Sequence, residues 1–253
     1  MPRLSACIEM IFRDLPFTER IAATRAAGLH AVEFWGWRNK DLEAVRAACE
    51  EQGVTVATFG IDTGGPLTAA GDIDALMTGV AESLDAAQRL GVTTLLCTTG
   101  DEQPGKTRAE QHEMIVAKLQ AAAPLLEDAG VTAVLEPLNV LVDHAGYYLV
   151  TTAEGLQIVD EVGSPNVKLL FDVYHQQISE GNVLRNLIEN LDRIGHVHIA
   201  DNPGRMEPGT GELNYGVIFR KLDEAGYGGY VGLEYRPSGD PAASLRAVRA
   251  LAG

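Results

Sequence analysis

The chain has 253 residues, 46% of them hydrophobic and 22% charged, which is an ordinary balance for one large folded domain. The formal net charge of −15 opposes binding to phosphate backbones, so we expect no nucleic-acid partner. No apolar run has the length of a membrane-spanning helix, and no signal peptide is evident, so we expect a cytoplasmic protein without a membrane partner.

Eight short apolar runs alternate with helical segments along the chain, and many of the helical segments are followed by glycine. The predicted strands are Leu4–Ile8, Ala31–Trp35, Val54–Phe59, Thr93–Cys97, Thr132–Glu136, Val167–Asp172, His196–Ile199 and Tyr230–Glu234. The predicted helices are Thr18–Ala27, a helix capped by Asp41 and ended by Gly53, Asp74–Leu90, Arg108–Ala129, Ala153–Val162, Val183–Leu191, Tyr215–Ala225 and Pro241–Leu251. This alternation is typical of a parallel sheet.

Eight strand–helix repeats in about 250 residues predict a single (β/α)8 TIM barrel, with one domain spanning residues 1–253. The alternative is an open doubly wound sheet, which usually carries a glycine-rich fingerprint after its first strand. The segment 7–12 contains no glycine, which favours the barrel. Three widely spaced cysteines, Cys7, Cys49 and Cys97, are expected to be reduced core thiols.

Chemically active side chains stand at the ends of the last four predicted strands. Glu136, Asp172, His198 and Glu234 lie at or next to the carboxyl ends of strands five to eight. In a barrel these ends meet at one rim, and neighbouring strands are about 4.8 Å apart. A lone acid here is commonly a loop acid or a helix cap, and a lone histidine is commonly a core residue. Four such residues on four consecutive strands predict one metal site.

The ligand set indicates which metal this site would bind. Three carboxylates and one imidazole favour a divalent cation such as Mn²⁺, Mg²⁺ or Co²⁺. Packed together without a cation, the carboxylates would repel one another. His196 points the same way as His198 because side chains alternate along a strand, but His198 is nearer the carboxyl end and is the better ligand.

Three further residues are candidates for substrate binding. His175 is placed to contact a substrate oxygen or to support Asp172, with an ordinary loop histidine as the alternative. Arg205 suits a carboxylate or a set of hydroxyls. The alternative for Arg205 is a surface salt bridge, with Asp201, Glu207 and Glu212 as partners. Trp35, with Trp37 behind it, is a candidate for one wall of a pocket, and packing under a loop is the alternative.

Several motifs resemble those of the hydroxypyruvate isomerase family, within the xylose-isomerase-like TIM-barrel superfamily of sugar isomerases and epimerases. The resemblance covers most of the chain and is densest in its second half. The motifs that carry it are Leu135–Asn139, Phe171–His175, Gln177–Asn182, Gly195–Arg205, Glu207–Tyr215 and Gly232–Pro237.

The resemblance implies that Glu136 and Glu234 are the acid/base pair and that Glu136, Asp172, His198 and Glu234 bind the metal. It also implies that His175 and Arg205 bind substrate, and that the protein assembles into an even-numbered homo-oligomer. Some members of the family carry glutamine where this chain has His198, whereas related ketose 3-epimerases carry histidine there.

The expected activity is metal-dependent isomerisation of a small hydroxy-carbonyl compound, a sugar or a hydroxy-keto acid. The first candidate is hydroxypyruvate converted to tartronate semialdehyde through an enediolate, by proton transfer between glutamates. The alternatives are a ketose 3-epimerase and a lyase that dehydrates a cyclic keto-polyol. A DNA-repair endonuclease and a non-catalytic sugar-binding barrel are further rivals, and the acidic charge opposes the former.

Overall fold

A computed structural model describes residues 2–71 and 73–253 and shows eight parallel strands closed into a barrel. The strands are β1 (Arg3–Cys7), β2 (Ala31–Phe34), β3 (Thr55–Gly60), β4 (Thr94–Cys97), β5 (Thr132–Leu135), β6 (Val167–Asp172), β7 (Ile194–Ile199) and β8 (Tyr230–Leu233). The helices are α1 (Phe17–Ala26), α2 (Leu42–Gln52), α3 (Ile73–Leu90), α4 (Arg108–Ala129), α5 (Thr152–Val162), α6 (Val173–Ser179), α7 (Val183–Glu189), α8 (Tyr215–Glu224) and α9 (Pro241–Ala252).

The sheet closes because β1 pairs with both β2 and β8, and all eight strand pairs are parallel. Strand residues are buried on both faces, as expected for a parallel sheet between a filled interior and an outer ring of helices. The predicted (β/α)8 fold is confirmed. Within the described ranges, no helix combines the length and apolar character that a bilayer span requires.

The strand ends differ from the prediction by one residue at several places. Trp35, Glu136 and Glu234 follow β2, β5 and β8 directly, whereas they were predicted to be the last residues of those strands. The backbone of Glu136 still donates to Cys97 O at 3.0 Å, and that of Glu234 donates to Ile199 O at 3.2 Å. Both glutamates are therefore anchored to the neighbouring strand although they lie outside the ladder.

One helix was not predicted. Helix α6 starts immediately after β6, and the Asp172 side chain caps it by accepting hydrogen bonds from the backbone N–H groups of Tyr174 and His175. His175 therefore lies in a buried helix, and the alternative of a loop histidine is wrong. The predicted cap of α2 is confirmed, because the Asp41 side chain accepts from Ala44 N at 3.0 Å.

Candidate metal centre and active site

The four predicted ligands come together at the carboxyl-terminal rim of the barrel. Glu136 and Glu234 follow β5 and β8, Asp172 ends β6, and His198 is the penultimate residue of β7. Each is at most 4% exposed, and one ligand atom from each lies within 4.8 Å of the others. The ladder explains this convergence, because Asp172 lies opposite His198 in the pairing of β6 with β7.

This group of side chains fits a divalent cation. Ligand atoms on bonds of about 2.1 Å lie roughly 3 to 4.2 Å apart around an octahedral ion, which matches the spacing of these side chains. Burial is the largest of the protein's own effects on the pKa of Glu136. Together with repulsion from Glu234 and Asp172, it raises the pKa of Glu136 to about 7, although His198 acts in the opposite direction. A bound cation relieves this repulsion between buried carboxylates.

The two ring nitrogens of His198 face different carboxylates. Nδ1 lies 3.3 Å from Glu136 Oε1 and 3.7 Å from Glu234 Oε2, on the side of the acid cluster. Nε2 lies 3.0 Å from Glu33 Oε1, deeper in the barrel. His196 also faces inward, as the alternation predicted, and its Nε2 lies 3.1 Å from Glu33 Oε2. His198, and not His196, therefore joins the three acids.

Glu33 is a further buried acid of the site, and it was not predicted to belong there. Its side chain is 2% exposed and also accepts a hydrogen bond from Ser5 Oγ at 2.7 Å. Burial acts to raise the pKa of Glu33, but the attraction of His198 and the hydrogen bond from His196 outweigh it and hold that pKa well below its usual range. The available signal was a single acid in the middle of the otherwise apolar run Ala31–Trp35.

Two predicted substrate-binding residues hold Glu234. Trp35 Nε1 donates to Glu234 Oε1 at 2.6 Å, and Arg205 Nη2 donates to Glu234 Oε2 at 2.7 Å. Arg205 Nη1 is also 3.8 Å from Asp143 Oδ1. Burial opposes the positive charge of Arg205, but the surrounding carboxylates, Glu234 first, raise its pKa further above its usual range.

The alternative partners predicted for Arg205 are wrong. Glu207 instead accepts from the backbone and hydroxyl of Ser238. Glu212 accepts from Asn202 and Gln177, and the Asp201 side chain accepts from backbone N–H groups of its own loop. These acids organise the β7–α8 loop, and the Arg205 side chain reaches the acids at the barrel rim.

His175 lies beside the cluster. Its Nδ1 is 2.6 Å from Asn139 Nδ2, an amide donor, so Nδ1 is the acceptor and the proton is assigned to Nε2. Nε2 has no hydrogen-bond partner among the described residues and is 3.8 Å from Asp172 Oδ2. Burial, followed by repulsion from Arg205, lowers the pKa of His175 to about 3, which keeps the ring neutral at neutral pH.

A cavity of about 750 Å³ opens above the cluster, which is enough for a small sugar or hydroxy acid. Its lining includes Glu136 and Glu234, together with Trp35, Arg205 and Arg236. The predicted placement of Trp35 at a pocket wall therefore agrees with the structure, and its side chain remains 48% exposed.

Comparisons with known proteins agree with this architecture. A family model described as a xylose isomerase-like TIM barrel matches residues 21–251. The chain is 32% identical to the hydroxypyruvate isomerase of Escherichia coli over 97% of this chain and 98% of the relative. It is 35% identical to the 2-oxo-tetronate isomerase of Cupriavidus necator over 97% and 96% of the two chains.

Two solved structures extend the comparison. One, titled an AP endonuclease of family 2 from Brucella melitensis, superposes with a TM-score of 0.93 at 31% identity and covers 99% of both chains. The other, an L-ribulose 3-epimerase, has a TM-score of 0.80 at 25% identity and covers 99% of this chain and 93% of its own. From the family match and the two full-length relatives, the chain belongs to the xylose isomerase-like TIM-barrel family, in the group that contains hydroxypyruvate isomerase, and it is an isomerase.

Proposed function

We propose that the protein is a metal-dependent isomerase of a small 2-oxo acid that carries a hydroxyl beside its carbonyl. Hydroxypyruvate, with tartronate semialdehyde as product, is the first candidate, and the four-carbon 2-oxo-tetronate is the second. The observation that carries the proposal is the group of three buried carboxylates and one imidazole, two of whose members line a cavity that also presents arginines. The names of the two full-length relatives support this substrate class.

The proposed ligands of the metal are Glu136, Asp172, His198 and Glu234, and the proposed ions are Mn²⁺, Mg²⁺ or Co²⁺. When bound, such an ion polarises the substrate carbonyl and stabilises the negative charge of the enediolate. The chain itself supplies the groups that hold the substrate and move its protons.

The two glutamates differ in how strongly they are held. Both oxygens of Glu234 accept hydrogen bonds, one from Trp35 and one from Arg205. Glu136 Oε1 is near His198, whereas Oε2 accepts no hydrogen bond within the described part of the chain. Glu136 Oε2 is therefore the freer proton acceptor at the cavity, and we assign it the first proton transfer.

For hydroxypyruvate, the proposed reaction moves one carbon-bound proton and one hydroxyl proton. Glu136 removes a proton from C3, and the electron pair enters the enediolate. A proton is then returned to C2 by Glu136 or by Glu234, while the hydroxyl proton moves from the C3 oxygen to the C2 oxygen. The sum is tartronate semialdehyde, with no external oxidant or reductant required.

Glu136→Gln tests the assigned base. We expect kcat with hydroxypyruvate at saturating Mn²⁺ to fall about 100- to 10,000-fold, which is the usual effect of losing a general acid/base group. Glu113→Gln is the matched control, because Glu113 is an exposed residue on α4 and its replacement should leave kcat unchanged. Activity within about tenfold of wild type would remove Glu136 as the base.

A ketose 3-epimerase is the second candidate, favoured by the likeness to an L-ribulose 3-epimerase. The same glutamates would then remove and replace a proton at one carbon. Incubation of hydroxypyruvate, tetruloses and ketohexoses in D₂O with Mn²⁺ or Mg²⁺, followed by NMR, separates the two activities. Deuterium at C2 of an aldehyde product supports isomerisation, and deuterium at C3 of an inverted ketose supports epimerisation. Loss of 18 mass units would identify a dehydratase.

We do not assign a DNA substrate to this protein, although one solved relative is titled an AP endonuclease. The net charge of −15 opposes binding to a phosphate backbone. The proposed partner is therefore a small molecule.

A further inference from the structure

Glu33 lies beneath the proposed metal site, facing the inside of the barrel from β2. It is deeply buried, and its two carboxylate oxygens contact different groups. Oε2 accepts from Ser5 Oγ at 2.7 Å and lies 3.1 Å from His196 Nε2. Oε1 lies 3.0 Å from His198 Nε2. The carboxylate is thus fixed on one side and directed at a proposed metal ligand on the other.

Two buried atoms lack any other partner. In the described residues, neither Glu33 Oε1 nor His198 Nε2 completes a hydrogen bond, yet the two atoms are only 3.0 Å apart. Leaving a buried polar atom unsatisfied is costly, so each atom needs the other. The opposite nitrogen of the ring, Nδ1, faces Glu136 and Glu234.

The neighbouring strand leaves room for this pair. Gly232 on β8 lies opposite His198 in the ladder. A Cβ at Gly232 would stand 2.3 Å from Glu33 Oε1 and 2.6 Å from His198 Cδ2, both far below van der Waals contact. The absence of a side chain at residue 232 is therefore a condition for the carboxylate and the ring to lie together.

We propose that Glu33 is a positioning residue for His198: its carboxylate accepts the Nε2–H, which leaves Nδ1 unprotonated and directed at the metal. This inference rests on the metal site of the proposed function. A carboxylate behind a metal-bound histidine fixes the tautomer and the ring orientation, and it makes the ring nitrogen a stronger electron-pair donor to the metal. Glu33 would thus act on the metal without touching it.

Glu33→Gln keeps the shape of the side chain but removes its charge, and calorimetric titration of the full-length protein with Mn²⁺ measures the result. We expect wild type to bind one ion per chain and the variant to bind it 10- to 100-fold more weakly, which is the usual effect of losing such a partner. Activity should recover towards wild type as Mn²⁺ is raised, because the ligands themselves remain.

A purely structural role for Glu33 predicts a different outcome, namely a lower melting temperature of the EDTA-treated variant with unchanged affinity for Mn²⁺. Thr58→Val is the matched control, since Thr58 pairs with Glu33 in the ladder of β2 and β3 and its buried hydroxyl has no partner in the described chain. That variant should bind Mn²⁺ as wild type does.

Ser5→Ala is a milder variant that tests the positioning role of Glu33 if Glu33→Gln fails to fold. It removes one hydrogen bond from Glu33 Oε2 with little change in volume, and we expect a 2- to 10-fold loss of affinity for Mn²⁺. Affinities equal to wild type in the folded variants would overturn the role of Glu33.

The titration of wild type also separates this inference from the proposed function. If wild type binds no Mn²⁺, Mg²⁺ or Co²⁺, the metal site itself fails. If it binds two ions per chain, Glu33 and the two histidines, His196 and His198, form a second metal site, and the positioning role is overturned while the first site remains.

Discussion

His198 joins two layers of the barrel interior through its two ring nitrogens. Nδ1 faces the acids at the rim, and Nε2 faces Glu33 below them. Burial acts to lower the pKa of His198, but attraction from Glu33 and Glu234 outweighs burial and raises it well above the usual value. The neighbouring carboxylates therefore favour the protonated ring over the neutral one. Metal binding at Nδ1 must release a proton.

Arg236 is a better candidate than Arg205 to hold a substrate carboxylate. Arg205 already contacts Glu234 and Asp143, so much of its charge is compensated. Arg236 lines the same cavity and forms no ion pair within the described ranges. We expect Arg236→Gln to raise KM for hydroxypyruvate roughly tenfold, as one charged hydrogen bond is lost, with kcat within a few-fold of wild type.

Steady-state kinetics of three variants distinguish the two arginines. Arg246→Gln is the control, because Arg246 is exposed on the outer helix α9 and its replacement should change neither constant. Arg205→Gln should lower mainly kcat, since it removes the hydrogen bond that Arg205 donates to the proposed catalytic Glu234. An unchanged KM in Arg236→Gln would exclude a contact between Arg236 and the substrate carboxylate.

The proposed ligands were predictable because each lies at or next to the end of an apolar run, where the barrel gathers side chains at one rim. Glu33 was not predicted as part of the site, because it lies inside a strand and its partners, Ser5, His196 and His198, are on β1 and β7. The predicted partners of Arg205 are wrong because the acids near it in sequence accept hydrogen bonds from backbone N–H groups and from polar side chains instead. The Arg205 side chain instead reaches Glu234 across 29 positions.

The short helix α6 is tied to the proposed metal site by one carboxylate. Asp172 Oδ1 accepts from Tyr174 N at 2.8 Å and from His175 N at 3.2 Å, which leaves Oδ2 for the site. Helix α6 has only seven residues and no separating turn, so hydrophobic periodicity did not reveal it. The long helices and all eight strands were predictable because glycine or a cap marks most of their ends.

Comparison of Asp172→Asn with Asp172→Ala measures how much this helix cap contributes to the stability of the protein. Both variants lose the charge and the proposed metal ligand, but asparagine retains a side-chain oxygen that can cap α6. In EDTA, we expect Asp172→Ala to be less stable than Asp172→Asn by about 1 kcal/mol, or roughly 2 to 4 °C in melting temperature. Equal melting temperatures would show that the cap contributes nothing to stability.

Barrel closure concentrates charge that the sequence distributes from Glu33 to Glu234. Glu234 lies near His198 because β8 pairs directly with β7, and Glu33 on β2 also reaches His198 because β1 bridges β2 and β8. The closed topology therefore forces buried acids and histidines into one cluster. The stability of the whole barrel should then depend on the protonation of this cluster and on the cation that we propose it binds.

Two raised pKa values make one contribution to that dependence, and the sign of this contribution follows from them. The protein's own groups raise the pKa of Glu136 from about 4.5 to about 7, and they raise the pKa of His198 above its usual value. Both groups hold protons in the folded state that the unfolded chain releases. Their contribution to stability is present below the unfolded pKa and is lost as the pH rises through the folded one. Metal binding needs the deprotonated ligands and strengthens over the same interval.

Removal of the metal should therefore matter more at pH 8 than at pH 5. We expect the difference in melting temperature between Mn²⁺-loaded and EDTA-treated protein to be larger at pH 8 by on the order of 5 °C. Glu136→Gln is the internal control, because it removes one titrating group, and its EDTA-treated form should lose less stability between pH 5 and pH 8 than wild type does. An EDTA-treated Glu136→Gln variant that loses as much stability between pH 5 and pH 8 as wild type does would contradict the buried-acid account, because the other titrating groups are common to both proteins.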